Sequence, residues 1–425
     1  MTRNAKLESV IQWGLLVILA VMPFHAFLSV WLGSLTHHEA IIQAWKEVLL
    51  AVLAVLALVL VIRSRRRRAA LKAPWVLTAA AFTAMALVVT IFTRPPFTAV
   101  AFGIKTDLEF LLAGVIALIV ATPKFARRVV ITVLASASVA VGVDIMLIFL
   151  LPPDFLTHFG YGPSTILPFQ HIAMGTNVLR FPGTLGGPNQ LGTYLILPLC
   201  LSLIYAVKYR KRLLWLLLAG GIICLIATQS RGAWLGALLA LWITAGFMLT
   251  VKLRRRFVLA SAIIGMGLLL ALPVAISRGG SLQYFLLHSS VAAHDQANLS
   301  DSQHATSLEH GTTATLAQPL GHGLGTAGPA TFHAGNGNII ENYFLQVGFE
   351  TGILGLLLFI ATLVLLVKTL LSRTSAPLAI ATGSAIAGIC VVSIVLPAWA
   401  DSSTALIVWI SAGAAAGLRP GARNV

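Results

Sequence analysis

Charge is what this chain has least of. Only 10% of its 425 residues are Asp, Glu, Lys or Arg, while 58% are apolar. Soluble domains carry about 25% charged residues to cover their surfaces. A water-soluble fold is therefore excluded and a polytopic membrane protein implied. Acidic residues are the scarcer sign, 13 against 29 Lys and Arg, for a formal net charge of +16. Cysteine is nearly absent. Cys200, Cys224 and Cys390 lie inside apolar runs and show no C-x-x-C spacing, so neither a loop disulfide nor a cysteine metal site is expected; they read as buried small hydrophobes. No Walker-type phosphate loop is present, nor a polar block fit to be a cytoplasmic nucleotide domain. The first apolar run follows "MTRNAKLES" without an A-x-A-like cleavage site, so it reads as a retained span rather than a signal peptide.

The positive charge resembles a nucleic-acid footprint only until it is located. Hydropathy marks about twelve spans, at 11–31, 41–62, 75–93, 106–122, 129–151, 190–207, 213–229, 234–251, 257–276, 344–367, 377–398 and 404–418. The N-terminus, the even-numbered connections and the C-terminal tail hold 23 of the 29 Lys and Arg, in clusters such as "RSRRRR", "KFARR", "KYRKR" and "KLRRR". The positive-inside rule then puts both termini in the cytoplasm and leaves no nucleic-acid partner to expect. The other side holds Arg94, Lys105, Arg180, Arg231, Arg278 and ten of the eleven histidines. The expected fold is all-α, a polytopic transmembrane helical bundle forming a single integral membrane domain over 1–425. Two long polar segments face outward: a loop at 152–189 and a large periplasmic or extracellular loop at 277–343, between spans nine and ten, carrying short amphipathic helices. A loop of that length implies function, on a face without ATP or nucleotide sugars.

Four outer features carry chemistry. In "NVLRFPGTLGGPNQLGTYL" (177–195) Arg180 precedes a Gly/Pro turn whose N–H groups can approach an anion; a plain re-entry turn reads the same way. In "ATQSRGAWLG" (227–236) Arg231 occupies a very short link between spans, where it can grip a phosphate or snorkel to lipid headgroups. Within 299–329, residues 302–317 have helical periodicity, with Ala305, Leu308, Thr312 and Leu316 as an apolar stripe for the membrane face, and Pro319 ends the run. The histidines His304, His310, His322 and His333 match no metal-ligand spacing, and no metal is expected. Finally, "IIENYFLQVGFETGILG" (339–355) sets Glu341 and Asn342 at the mouth of a span, where a carboxylate also suits the helix dipole. Charges inside apolar runs usually face a cavity. Lys46 and Glu47 point about 100° apart on a helix and are expected to pair poorly. Asp144 needs a partner. Asp107 and Glu109, at the outer edge of span four, suit solvated or acceptor-facing roles.

From 180 to 367 the chain resembles the O-antigen ligase/polymerase family of bacterial membrane glycosyltransferases. "TQSRGAWLG" matches the family's arginine link, and "QPLGHGLG" its loop end. "EN", nine residues, then "GILG" keeps the spacing of its last motif, with Glu341 where ligases carry His. A second loop arginine of the family falls at His304. The resemblance implies transfer of a glycan from undecaprenyl pyrophosphate, with no metal or nucleotide cofactor, to a glycan or lipid-core acceptor on the outer face of the bacterial inner membrane. It implies inversion at the anomeric carbon. Arg231 and Arg180 would bind the pyrophosphate, with Lys46, Lys105 or His304 as further contacts, and Glu341 beside Asn342 would act as general base. Ligase and polymerase stay open, since they differ in acceptor. A twelve-span secondary transporter is the alternative from another class; it calls for related halves, and spans one to six show no similarity to seven to twelve.

Overall fold

The computed structural model describes residues 3–171, 179–261, 306–309, 311–333, 339–373 and 376–418. They are almost wholly helical, apart from one two-residue antiparallel ladder pairing Gln170 with Arg180. Seven helices are long and apolar enough to cross a membrane: Asn4–Thr36, Trp45–Arg63, Pro74–Thr93, Pro123–Phe149, Pro188–Tyr209, Arg231–Met248 and Tyr343–Leu371. Three apolar helices are shorter, Arg212–Ala227, Pro377–Val392 and Ser402–Ala416. The run expected at 106–122 is a helix interrupted by a π-helical turn at Ile104–Leu108, continuing as Glu109–Ile119. Of the run expected at 257–276, only residues to 261 are described.

Small residues let helices approach closely where hydrophobic burial alone gives no preference between helix and lipid. A Cβ added at Gly388 would meet the Gly236 carbonyl, joining Pro377–Val392 to Arg231–Met248, and one at Gly413 would meet that of Gly114. Large aromatics fill the remaining core: Phe110 packs on Trp409 at 5.2 Å between centroids and Phe82 on Phe359 at 5.4 Å.

The expected span 377–398 ends early. The helix stops at Val392, and 393–401 is an irregular segment with a short 3-10 turn at Ala398–Ala400. Pro397 cannot continue a helix, and Asp401 starts the next one by accepting the Thr404 N–H at 2.8 Å. The helix Tyr343–Leu371 is also broken, at Gly352, whose φ of 75° is left-handed. The loop end enters that break: His322 and Gly323 donate their N–H groups to the Phe349 and Glu350 carbonyls, and Ile353 donates to Pro319. Leu324, fully buried, donates its N–H to Thr90 Oγ1 at 3.0 Å. "PLGHGLG" is thus irregular backbone packed inside protein, the setting in which a membrane chain tolerates it.

Part of the loop helix is described, at 306–309 and 311–317. Leu308 and Leu316 of the expected stripe are 48% and 65% exposed, turned away from the bundle, while Thr315 is buried against Gly348. His304 and His310 lie outside the described residues.

Candidate functional site

The short link at 228–230 is built from backbone. Gln229 adopts a left-handed φ of 51°, and Arg231 opens its helix immediately afterwards. The strand Leu179–Arg180 runs beside this link: Phe181 donates its N–H to the Ala227 carbonyl, and Arg180 Nε donates to the Thr228 carbonyl at 3.1 Å. Arg180 Nη2 donates to Asn189 Oδ1 at 2.7 Å. Arg180 is thereby held against the link that ends at Arg231, so the two arginines predicted from the sequence lie close together. Burial and then the nearby charge of Arg231 hold the Arg180 guanidinium below its ordinary pKa. Two cations held together, one of them largely buried, form a place where an anion gains.

Asn189 also lines a cavity of about 240 Å³ with Gln190, Thr193, Glu341 and Asp401. The irregular segment 393–401 forms its far wall and joins the parts. The Tyr343 N–H donates to the Ser393 carbonyl at 2.9 Å. Val395 and Leu396 lie against Gly232, next to Arg231. Glu341 is half-buried and its N–H donates to Ser307 Oγ at 3.1 Å, tying the cavity to the loop helix.

Other expectations come out differently. Asn342 is the N-cap of Tyr343–Leu371, accepting the Leu345 N–H at 3.0 Å, and it does not line the cavity. Glu341 consequently precedes the helix rather than sitting on its first turn. Lys46 does not line the cavity either. It is fully buried and, against expectation, pairs with its neighbour Glu47 at 2.7 Å; Lys105 shares that carboxylate at 3.1 Å. The flexible ammonium folds back along its own turn, which the 100° argument from Cβ directions ignored. Asp107 and Glu109 are buried, not solvated. Asp107 accepts from the Tyr343 hydroxyl at 2.9 Å and Gln346 Nε2 at 3.3 Å. The Gly/Pro turn after Arg180 does approach an anion, but that anion is the chain's own Asp144, which accepts the Thr184 N–H at 3.1 Å. His304 cannot be placed, being outside the described residues. Among the described residues no group of three or more His, Cys, Asp or Glu is arranged to hold a metal.

Asp401 is the site residue that sequence reading passed over. Burial pushes its carboxyl above the usual range, against the opposing pull of the Thr404 and Ser403 N–H groups and the Lys46 charge. The signal was there: Pro397, then Asp-Ser-Ser at a helix start in the short connection between the runs expected at 377–398 and 404–418.

Residues 213–360 match the family model described as O-antigen ligase. Over that stretch the chain is similar to the O-antigen ligase family. That stretch runs from helix Arg212–Ala227 through Arg231 to Glu341 and the break at Gly352, so it contains one of the two arginines and the cavity carboxylate. No curated protein matches the chain. With its apolar helices, the match suggests a multi-pass membrane protein, and the family it resembles suggests a part in surface glycan transfer.

Proposed function

We propose that the protein transfers a glycan from undecaprenyl pyrophosphate to an acceptor hydroxyl at the outer face of the bacterial inner membrane, in O-antigen or other surface polysaccharide assembly. The observation that carries this reading is Arg180 bonded to the link that ends at Arg231, beside a cavity lined by Glu341. In this reading the chain crosses the membrane twelve times with both termini cytoplasmic, and 152–189 and 277–343 are the outer loops.

The chemistry follows from the charges. Glu341 takes the proton of the acceptor hydroxyl as its oxygen attacks the anomeric carbon. The bond from that carbon to the pyrophosphate oxygen breaks, with inversion, and the pyrophosphate leaves carrying the electron pair. Arg180 and Arg231 stabilise that charge without a metal. Asn189, oriented by Arg180, and Gln190 offer amide groups to sugar hydroxyls. Holding both substrates in line supplies much of the acceleration. Asn342 acts here through the helix start, and Lys46 through its field on Asp401.

A transporter shares one feature with this chain, a broken helix. Here the break at Gly352 is filled by the chain's own residues 319–323, which leaves it unsuited to cargo.

The test is mass spectrometry of polyprenyl-linked glycans after deletion of the gene, with complementation by wild type, Glu341→Ala and Arg231→Ala. Single repeat units accumulate if the protein is a polymerase, and long polymer if it is a ligase. An unchanged lipid-linked profile in the deletion strain overturns the reading.

A further inference from the structure

A second cavity, of about 660 Å³, lies at the basic end of the bundle. It opens at the start of Pro123–Phe149, beside the link from Tyr209 to Arg212. Lys124, Arg127 and Lys211 stand around it. Tyr205 and Tyr209 stack at 5.1 Å and 22° along one side, and the buried Val130 and Leu378 form an apolar wall.

The cations there lack acidic partners. Among the described residues no Asp or Glu lines the cavity, and none forms a salt bridge with any of the three cations. The basic face explains why: its described segments 3–10, 63–73, 121–128, 208–212, 249–256 and 368–373 contain a single acidic residue, Glu8. Glu8 is already bound by Arg67. Orientation signals need only be basic; they do not need a cavity with a stacked aromatic wall. The cavity also leads onto an apolar track. Ile131, Ala135 and Val139 are exposed at i, i+4 and i+8 along the same helix, a single stripe.

We propose that this cavity binds one anionic phospholipid, its phosphate between Lys124, Arg127 and Lys211 and an acyl chain along the Ile131–Val139 stripe. Basic pockets between membrane helices at this face suit such headgroups. The apolar track favours a lipid over a free anion, which would leave that stripe unused. The inference stands apart from the reaction at the opposite end.

The experiment is native mass spectrometry of the full-length protein in detergent, titrated with dioleoyl phosphatidylglycerol, dioleoyl phosphatidylcholine or inorganic phosphate. Expected is one phosphatidylglycerol retained about tenfold or more tightly than phosphatidylcholine, with little displacement by phosphate. Arg127→Gln weakens it about fivefold, and Lys124→Gln/Arg127→Gln/Lys211→Gln by far more. Arg65→Gln/Arg66→Gln/Arg68→Gln, on the exposed basic helix Arg65–Ala70, removes equal charge and leaves binding unchanged. Equal retention of both lipids overturns the proposal, as does equal weakening by the control, which means diffuse charge. Ready displacement by inorganic phosphate also overturns it, in favour of a free-anion site. The lipid comparison needs no variant, and the exposed Arg127 locates the site if the triple variant is not recovered.

Discussion

Glu341 and Glu350 are the same side chain nine residues apart at the start of the same helix, and their surroundings are opposite. Glu341 is half-buried and borders the cavity near the paired arginines. Glu350 is 1% exposed, and its Oε1 accepts the Ala327 N–H at 3.0 Å while its own carbonyl accepts from Gly323. One carboxylate faces a space where substrate can come; the other is spent holding an irregular loop end inside the bundle. Asp144 belongs with Glu350, since it too binds a turn's N–H. A buried acidic group in a membrane protein is a functional suspect by default, but Glu350 and Asp144 bond to loop backbone and do not line the cavity near Arg180, whereas Glu341 does.

The anchor half of this comparison breaks most violently at Gly325. Its φ is 77°, and a Cβ there would lie 1.9 Å from the Ala99 carbonyl oxygen. Backbone meets backbone, with no flexible side chain to give way. Gly325→Ala is expected to abolish recovery of monodisperse protein on size exclusion in detergent. Normal recovery with an unchanged melting temperature would show that the loop end does not pack as described.

The two glutamates then sharpen the contrast directly. Glu341→Gln removes the base but keeps the shape. Transfer in a reconstituted assay should fall about 100-fold or more, the usual scale for losing a general base, with melting unchanged. Glu350→Ala leaves the Ala327 N–H unsatisfied and should cost about 1–3 kcal/mol. It lowers the melting temperature while the folded fraction keeps much of its activity. If Glu350→Ala kills turnover at full stability, the division of labour is misassigned. Arg180→Gln comes next. It frees Asn189 and the Thr228 carbonyl and removes one of two charges, so donor KM should rise about tenfold, the scale of one charge-assisted hydrogen bond. A change in kcat alone would point to a role in the chemical step instead.

Much of this was legible in the sequence because membrane chains expose their logic. Apolar runs give the helices and charge clusters give the connections. The closeness of Arg180 and Arg231 could be suspected because both are arginines on the side expected to hold few of them. What could not be read was three-dimensional bookkeeping of polar atoms. Nothing local says that Asp144 will find Thr184, forty residues on, or that Glu350 will find the backbone of 327. Hydropathy also overran the start of the irregular segment, because residues 393–398 are as apolar as a span, and Asp401 in the connection after it was passed over. Lys46 was misread because rotamers of a long side chain outweigh the Cβ direction.

Asn342 gives the smallest and most discriminating effect. Its neighbour Glu341 lines the cavity, and the "EN" pair invites a joint catalytic role. Its side chain, however, is occupied in capping Tyr343–Leu371. Losing an N-cap costs about 1 kcal/mol, and the Tyr343 N–H to Ser393 bond still fixes where the helix begins. Asn342→Ala should therefore lower melting slightly and change transfer by only about two- to threefold, because a displaced helix start moves Glu341 a little. Asn342→Asp, which caps equally well, should restore the melting temperature and nearly all of the rate. A carboxylate cannot replace an amide that donates to substrate. If Asn342→Asp melts like wild type yet transfers no better than Asn342→Ala, the amide has a partner beyond its cap, and the site extends one residue further into the helix than its geometry indicates.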